Sequence, residues 1–362
     1  MGEMLTPART TGLDANGLPA APSLPTISGL ATATPESSFD QAQMLHLLGL
    51  AGDAFAEEIF ARCGVRTRGL EISPELVRTT LQERTKATED QLMRLATRAV
   101  DTLRVEPDAV GVVVSANYYS LGGPTLAHRL VDHYSLHSDT DKYHLVGVGC
   151  ASAVPLLRLA SQALRDRPGQ QALVVGAESV SGFLCPVAPG DDKVKIVGSA
   201  LFGDGAGAAL VSLEPEAPGP AIVETAVHQL PGTLDHVRFA VAGEDSHMQI
   251  ARELPEIAET EVPALVDEFL GRHGLDTGAI DHWPVHPGGR GILHALRRGL
   301  GLSREDVAPS AAVLAEHGNV GTPSVFFVLQ RTIADRCPRP GERGLAVTIG
   351  PGITVGLMLL LW

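Results

Sequence analysis

Residues 144–160, HLVGVGCASAVPLLRLA, contain the pattern that decides the fold, because a strand, a glycine turn and a helix follow one another directly. Residues 144–148 predict a buried strand, and 152–165 predict a helix with an apolar face. Gly147 and Gly149 permit the tight turn between them. From Ile27 onward the chain repeats this alternation, which predicts layered α/β sheets with buried parallel strands.

A segment rich in Pro, Glu and Gly, LEPEAPGP at 213–220, separates two runs of alternating strands and helices. We therefore predict two halves, at 26–215 and 216–362. Residues 1–25 are rich in Pro, Ala, Thr and Gly without an apolar period, and we expect them to form a mobile arm.

The composition excludes several classes of protein. The 362 residues include 28 basic and 42 acidic side chains, for a net charge of −14 and a pI near 5.3. Such a surface disfavours binding to nucleic acid or to an anionic membrane, both of which select basic proteins. The longest apolar run, at 353–362, is shorter than the roughly 20 residues that a membrane-spanning helix needs. We expect a soluble, cytoplasmic protein.

The four cysteines are scattered without C-x-x-C pairs, at Cys63, Cys150, Cys185 and Cys337. This spacing indicates neither a disulfide framework nor a zinc site, and we predict no metal. Cys150 differs from the others because it lies where a buried strand ends and a helix begins. Unpaired N–H groups and the positive end of the helix dipole should lower its pKa and favour a nucleophilic thiolate. The alternative is an inert buried cysteine.

Two further polar residues lie on glycine-containing turns at the ends of apolar elements. His286 follows a strand in DHWPVHPGGRGILHAL, and Asn319 precedes a helix in EHGNVGTPSVFFVL. Separately, each has an ordinary structural explanation, as a loop histidine and as a capping or turn residue. In a layered α/β fold, however, functional side chains gather at strand ends, so Cys150, His286 and Asn319 can converge.

Five motifs resemble those of the type III polyketide synthases, the chalcone-synthase-like enzymes of the thiolase superfamily. They are GVGCAS around Cys150, ALFGDGAGAALV at 200–211, VHPGGRGIL at 285–293, HGNVGTPSVFFVL at 317–329 and IGPGITV at 349–355. The resemblance extends from Gly29 to Trp362. The HPGG form distinguishes it from the ketoacyl-carrier-protein synthases III, which have another motif around the histidine.

The resemblance implies a thiolase-like αβαβα fold of two pseudo-duplicated halves, a homodimer, and acyl-CoA and malonyl-CoA as substrates. Cys150 would carry the acyl starter as a thioester, and His286 would stabilise its thiolate. His286 and Asn319 would then donate hydrogen bonds to the malonyl thioester oxygen while carbon dioxide leaves. Two such donors require no metal or organic cofactor.

The family's pocket positions can be assigned residue by residue. Phe202 matches a gatekeeping phenylalanine between the CoA tunnel and the acyl cavity, and the second gatekeeper falls on Met248. Other pocket positions fall on Tyr118, Val180, Phe183 and Gly321. The turn Gly350-Pro351-Gly352 matches the scaffold loop beside the cysteine.

The CoA phosphates need cations at the tunnel mouth, and the resemblance assigns Arg62 and Arg68 to this role. Two further positions that are cationic in the family are Phe55 and Glu58 here. These departures weaken the predicted CoA site.

Two other enzyme classes are alternatives. One is a ketoacyl-synthase-III-like enzyme that performs a single condensation. The other is a papain-like cysteine protease, which also uses Cys, His and Asn in this order. Against the protease stand the missing C-G-[S/A]-C-[W/Y] signature, the lack of a secretory signal and the few cysteines.

Overall fold

The structure, a computed structural model, describes residues 23–71, 79–118, 123–183, 193–215, 217–242 and 245–362. The strands are β1 (Thr26–Ala33), β2 (Ser38–Asp40), β3 (Thr67–Gly69), β4 (Val110–Asn117), β5 (Asp141–Val146), β6 (Gln171–Glu178), β7 (Gly205–Ser212), β8 (Ala221–Gln229), β9 (Val237–Ala242), β10 (Asp245–Ile250), β11 (Arg343–Gly350) and β12 (Thr354–Leu361). The helices are α1 (Gln41–Leu47), α2 (Ala54–Arg62), α3 (Leu81–Leu103), α4 (Leu126–His133), α5 (Ala153–Ala163), α6 (Lys193–Leu201), α7 (Leu254–Thr260), α8 (Val262–Gly271), α9 (Arg290–Gly299), α10 (Ala308–His317) and α11 (Ser324–Arg336).

Eight strands form one mixed sheet in the order β11-β12-β8-β1-β7-β6-β4-β5. Only β4 is parallel to its two neighbours in this sheet, and the other adjacent pairs are antiparallel. The predicted parallel strands are β4 and its neighbours β5 and β6, whereas the rest of the sheet is antiparallel. The hairpin of β11 and β12 shows one reason, since a three-residue connection can join antiparallel strands but not parallel ones.

The sheet consists of two similar halves that meet where Thr26 of β1 pairs with Ala221 of β8. The first half runs β1-β7-β6-β4-β5. The second runs β8-β12-β11, and the segment 282–285 lies parallel to β11 through isolated bridges at its two ends. In the first half, β1 lies beside the last strand, β7, and β7 lies beside β6. In the second half, β8 likewise lies beside the last strand, β12, and β12 lies beside β11. This repeated topology is the pseudo-duplication that the resemblance implies; the division at 215/216 stays a prediction.

Core packing arranges these elements in five layers. The central layer is α5 and α11, which share one core with alternate residues of both half-sheets, for example Val112 and Val114 of β4 and Met358 of β12. The opposite face of the first half-sheet packs on α3 and α4, and that of the second on α7, α8 and α9. Strands covered on both faces are apolar without alternation, as β4 is.

The predicted helix at 254–273 is two helices, α7 and α8, rather than one. Pro263 lies in the first turn of α8, where its missing N–H is tolerated, but inside a continuous helix it would remove a hydrogen bond. Most of the predicted arm, residues 1–22, lies outside the described residues. None of the described helices combines the length and the apolar character needed to cross a bilayer.

The central helix α11 lies so close to β7 that only glycine fits at position 207. A Cβ on Gly207 would lie 2.7 Å from Phe326 Cβ. We expect Gly207→Ala to lower the free energy of unfolding by about 1–3 kcal/mol, the usual cost of overpacking a core, in chemical denaturation. Gly271→Ala is the matched control, because an exposed helical glycine with open space around it should gain about 0.5–1 kcal/mol. Equal effects of the two substitutions would contradict this packing.

Candidate active site

A cavity of about 1200 Å³, including its open mouth, lies where β4, β6 and β11 end. Cys150, His286 and Asn319 all line it, although 136 and 33 residues separate them along the chain. Most of the remaining lining is apolar, and Glu178, Ser179, Lys195 and Ser199 are among the polar exceptions. The predicted convergence of the three residues at strand ends is therefore present in the structure.

Cys150 is held in a tight turn between β5 and α5. Gly147 and Gly149 have φ values of +79° and +57°, in the left-handed region that favours glycine. A Cβ on Gly350, at the end of β11, would lie 2.6 Å from the backbone nitrogen of Ala151. The predicted scaffold loop is thus in close contact with the turn that carries Cys150. Gly350 and Pro351 of this loop also line the cavity.

His286 extends from the segment that lies parallel to β11. Its backbone N–H donates to the Val347 carbonyl (2.8 Å), and its side chain is 1% exposed. Neither ring nitrogen has a hydrogen-bond partner among the residues that the structure describes. A buried imidazole with two unpartnered nitrogens in a cavity is suited to bind a polar ligand group.

Asn319 has one amide orientation that satisfies its surroundings. Its Oδ1 accepts hydrogen bonds from the Gly321 N–H (2.9 Å) and the Ser324 hydroxyl (3.2 Å). Its Nδ2 therefore donates to the Gly288 carbonyl (3.4 Å) and lies 3.7 Å from the Cys150 sulfur, whose thiol in turn lies 3.8 Å from Oδ1. The backbone is held as well, because the Asn319 N–H donates to Leu201 O at the end of α6. The amide N–H is thus fixed toward the cavity.

Burial governs the protonation of the two ionisable members of this set. It raises the pKa of the Cys150 thiol to about 12, which the contact with Asn319 opposes and the Glu178 charge increases. It lowers the pKa of His286 to about 3. The predicted lowering of the Cys150 pKa is therefore wrong, because desolvation outweighs the helix terminus. At neutral pH the two groups are a thiol and a neutral imidazole.

The predicted pocket residues Tyr118, Val180, Phe202, Met248 and Gly321 all line the cavity. The Tyr118 ring stands edge-on to Phe239, with ring centroids 5.9 Å apart. Phe239 pairs with Met248 across the β9–β10 ribbon, and Met248 packs near Phe202. These four side chains form a continuous wall. The side chain of Phe183 lies outside the described residues.

The two arginines assigned to CoA phosphates lie in different environments. Arg62 is exposed and forms an ion pair with Glu58 (2.7 Å) on the same helix. Arg68 is fully buried, and its guanidinium donates to the carbonyls of Phe202 and Ser199. It therefore cannot serve a phosphate at the cavity mouth, and this part of the prediction does not fit the structure. Arg68 instead ties β3 to the end of α6.

Glu178 is a polar residue of the cavity that the sequence analysis missed. It ends β6, and it accepts hydrogen bonds from the Tyr118 N–H (2.8 Å) and the Thr322 hydroxyl. Burial raises its pKa to about 8. A Cβ on Gly321 would lie 2.9 Å from Glu178 Cγ, and Gly321 has a φ of +64°, so two constraints select glycine there. A carboxylate at the end of the apolar run QALVVGA was the available signal.

Comparison with known proteins identifies the family. A profile described as FAE1/type III polyketide synthase-like protein matches residues 32–258, and one for the C-terminal domain of chalcone and stilbene synthases matches 221–361. The chain is a type III polyketide synthase. Enzymes of this family are acyltransferases that condense acyl-CoA with malonyl-CoA. The papain-like and ketoacyl-synthase-III-like alternatives are thereby set aside.

Relatives and solved structures agree with this membership over nearly the whole chain. A 3,5-dihydroxyphenylacetyl-CoA synthase of Amycolatopsis balhimycina is 25% identical over 92% of each chain. An alpha-pyrone synthesis polyketide synthase-like protein of Mycobacterium tuberculosis is 29% identical over 94% of this chain and 93% of its own. The crystal structure of a 1,3,6,8-tetrahydroxynaphthalene synthase from Streptomyces coelicolor superposes with a TM-score of 0.85 at 25% identity, covering 94% of this chain and 99% of that one.

The charge of Glu178 opposes formation of the Cys150 thiolate in this synthase. Above pH 8 the carboxylate is ionised, so Glu178→Gln removes a negative charge near the sulfur and should lower the pKa of Cys150 by about one unit. The rate of iodoacetamide alkylation of the Cys150 peptide, followed by mass spectrometry against pH, should shift to lower pH. Glu106→Gln, an exposed carboxylate that does not line the cavity, should leave the profile in place. A shift to higher pH would contradict the assignment.

Proposed function

We propose that Cys150, His286 and Asn319 carry out the condensation reaction of this synthase. The observation that supports the proposal best is a buried imidazole with two unpartnered nitrogens, in one cavity with a thiol and a fixed amide N–H. The thiol supplies a nucleophile, the imidazole a base, and the amide a donor toward developing negative charge.

In the loading step, the Cys150 sulfur attacks the thioester carbonyl of an acyl-CoA. The neutral His286 accepts the thiol proton during the attack, since its lowered pKa keeps it unprotonated beforehand. The carbon–sulfur bond to CoA then breaks, and the CoA sulfur leaves with that proton. The products are free CoA and an acyl thioester on Cys150.

In the extension step, malonyl-CoA binds with its thioester oxygen near His286 and Asn319. Loss of carbon dioxide leaves its electron pair as an enolate, and donors aimed at the oxygen stabilise that charge. His286 donates in this step from the ring nitrogen that carries the proton. The enolate carbon attacks the acyl carbon on Cys150, so a carbon–carbon bond forms and the cysteine sulfur is released. In this scheme the two hydrogen-bond donors stabilise the enolate charge, for which other enzymes use a metal or an organic cofactor.

Cys150→Ala tests the loading step. We expect the variant to give no acyl adduct in intact-protein mass spectrometry and no extended product, because no other thiol faces the cavity among the described residues. Cys337→Ala is the matched control, since Cys337 is exposed and does not line the cavity, and it should retain both. Carbon dioxide release from malonyl-CoA by the wild-type protein is the accompanying measurement. Its absence, together with unchanged adducts in Cys150→Ala, would refute the proposal.

We also propose that the protein is a homodimer and that the β5 edge of the sheet contributes to the interface. β5 is the terminal strand of the sheet, so one side of its backbone has no neighbouring strand in the described chain. Its apolar side chains Tyr143 and Val146 are 38% and 50% exposed. An exposed apolar edge strand readily pairs with a second chain.

Light scattering tests the dimer. The wild-type protein should have twice the chain mass of 38.0 kDa, and Val146→Asp should shift it toward the monomer by placing a charge on the apolar edge. Leu234→Asp is the control, because Leu234 is 68% exposed but is not in the edge strand. A monomeric wild-type protein would contradict the proposal, and a dimer that survives Val146→Asp would exclude this edge.

A further inference from the structure

Arg68 is a buried cation that the condensation scheme does not use. It lies in the short strand β3, and its side chain is fully buried behind the residues that line the cavity. Burial lowers the pKa of its guanidinium to about 10, a shift that the charge of Asp204 opposes, so the side chain stays charged at neutral pH. A buried charge is costly unless its contacts offset the loss of water. The contacts of Arg68 therefore indicate what it does.

These contacts join two segments of backbone. The guanidinium donates to the carbonyls of Ser199 and Phe202 (2.8 Å to Phe202), at the end of α6, where carbonyls have no partner within the helix. The stem packs on two glycines, since added Cβ atoms on Gly203 and Gly318 would lie 3.3 and 3.6 Å from Arg68 Cβ. Arg68 thus touches the end of α6 and the residue that precedes Asn319.

The end of α6 in turn holds the backbone of Asn319. The Asn319 N–H donates to the Leu201 carbonyl (3.0 Å), and the Gly203 N–H donates to the Asn319 carbonyl (3.1 Å). Gly318 has a φ of +71°, and a Cβ there would lie 2.6 Å from the Leu201 oxygen. The position of Asn319 therefore follows that of the end of α6, which Arg68 holds from the opposite side.

Strand β3 and the residue before it fix Asn319 from a second direction. The Thr67 hydroxyl donates to the Glu316 carbonyl (3.0 Å), and the Arg66 N–H donates to the Ala315 carbonyl (2.8 Å). Both carbonyls belong to the last turn of α10, which ends two residues before Asn319. The segment that carries Arg68 is thus bonded to both chain segments that meet at the amide.

Asp204 supplies the negative charge that a buried guanidinium needs. It is fully buried, and its backbone N–H donates to the carbonyl of Gly69, the neighbour of Arg68 (2.9 Å). Its carboxylate is held by the N–H groups of Ser181 (3.0 Å) and Glu71 (2.9 Å). Loss of the positive charge at position 68 would leave this carboxylate uncompensated, so an informative variant must keep the charge.

We propose that Arg68 is a positioning residue that holds the Asn319 amide at the place where the enolate oxygen forms. The inference rests on the proposed function, which assigns to Asn319 a donor role in the extension step. In the loading step His286 accepts the thiol proton and Asn319 has no role. A displaced amide should therefore slow the release of carbon dioxide and leave loading of Cys150 unchanged.

Arg68→Lys tests the inference, because lysine keeps the charge that Asp204 needs but lacks the planar fork that reaches two carbonyls. Carbon dioxide release from malonyl-CoA should fall about tenfold, as expected when a donor is slightly misplaced. The rate of acyl-adduct formation, followed by intact-protein mass spectrometry, should change less than twofold. Arg84→Lys is the matched control, since Arg84 is also buried and its guanidinium donates to the Thr79 carbonyl. It should leave both rates within twofold of the wild type.

A double-mutant cycle separates positioning from general stability. Asn319→Ala should lower carbon dioxide release about a hundredfold, the usual cost of removing one such donor. Adding Arg68→Lys to it should cost less than a further twofold, because Arg68 acts through the amide that is already missing. Multiplied losses in the double variant, an equal loss of loading in Arg68→Lys, or the same loss in Arg84→Lys would each overturn the inference.

Circular dichroism identifies a variant that does not fold. Thr67→Val then replaces Arg68→Lys, because it removes only the hydroxyl bond to the Glu316 carbonyl, and it should lower carbon dioxide release about threefold with loading unchanged. Wild-type carbon dioxide release in this variant would contradict the inference. Unchanged release in Asn319→Ala would contradict the proposed function itself, whereas a loss there without one in Arg68→Lys would contradict the positioning role alone.

Discussion

Burial of the side chains at the ends of β4, β6 and β11 is the constraint on which the site depends. A buried, largely apolar environment strengthens every hydrogen bond to a developing enolate oxygen. The same burial makes isolated charges costly, so it shifts the pKa values of Cys150 and His286 in opposite directions toward the neutral forms. These two groups are therefore neutral in the resting protein, and charge develops in the site only during the reaction.

Because the resting site is neutral, no strong electric field orients its hydrogen-bond donors. Other contacts must therefore hold these donors in place. The amide of Asn319 meets this need through contacts with Gly321 and Ser324 on the far side of its oxygen, which leave the N–H group directed inward. Gly288 leaves room for the His286 ring, since a Cβ at position 288 would lie 3.2 Å from His286 Cδ2. Small residues around the site allow the backbone to approach and hold the side chains that react.

Much of the fold and the central triad could be predicted from the sequence, because both depend on local patterns. The apolar run of β4 predicts a buried strand, and the glycines around Cys150 predict a tight turn. The parallel or antiparallel sense of the sheet could not be predicted, since it depends on which strands become neighbours. The pKa of Cys150 was predicted with the wrong sign for a similar reason. The helix terminus is visible in the sequence, whereas the burial that outweighs it arises from distant elements such as β6 and β11.

The failure of the CoA prediction has a related cause. Assigning CoA-binding residues from a family position by position assumes that each cation stays at the same position in the sequence. A phosphate, however, responds to the electric field where it binds, whichever residue supplies that field. Arg68 has the expected residue type, yet it is fully buried and its guanidinium donates to the backbone carbonyls of Phe202 and Ser199. Arg62 is exposed, but its charge is offset by the ion pair with Glu58. The surroundings of a cation, which arise from elements distant in the chain, therefore decide whether it can contact an anion, and the residue type at one position does not.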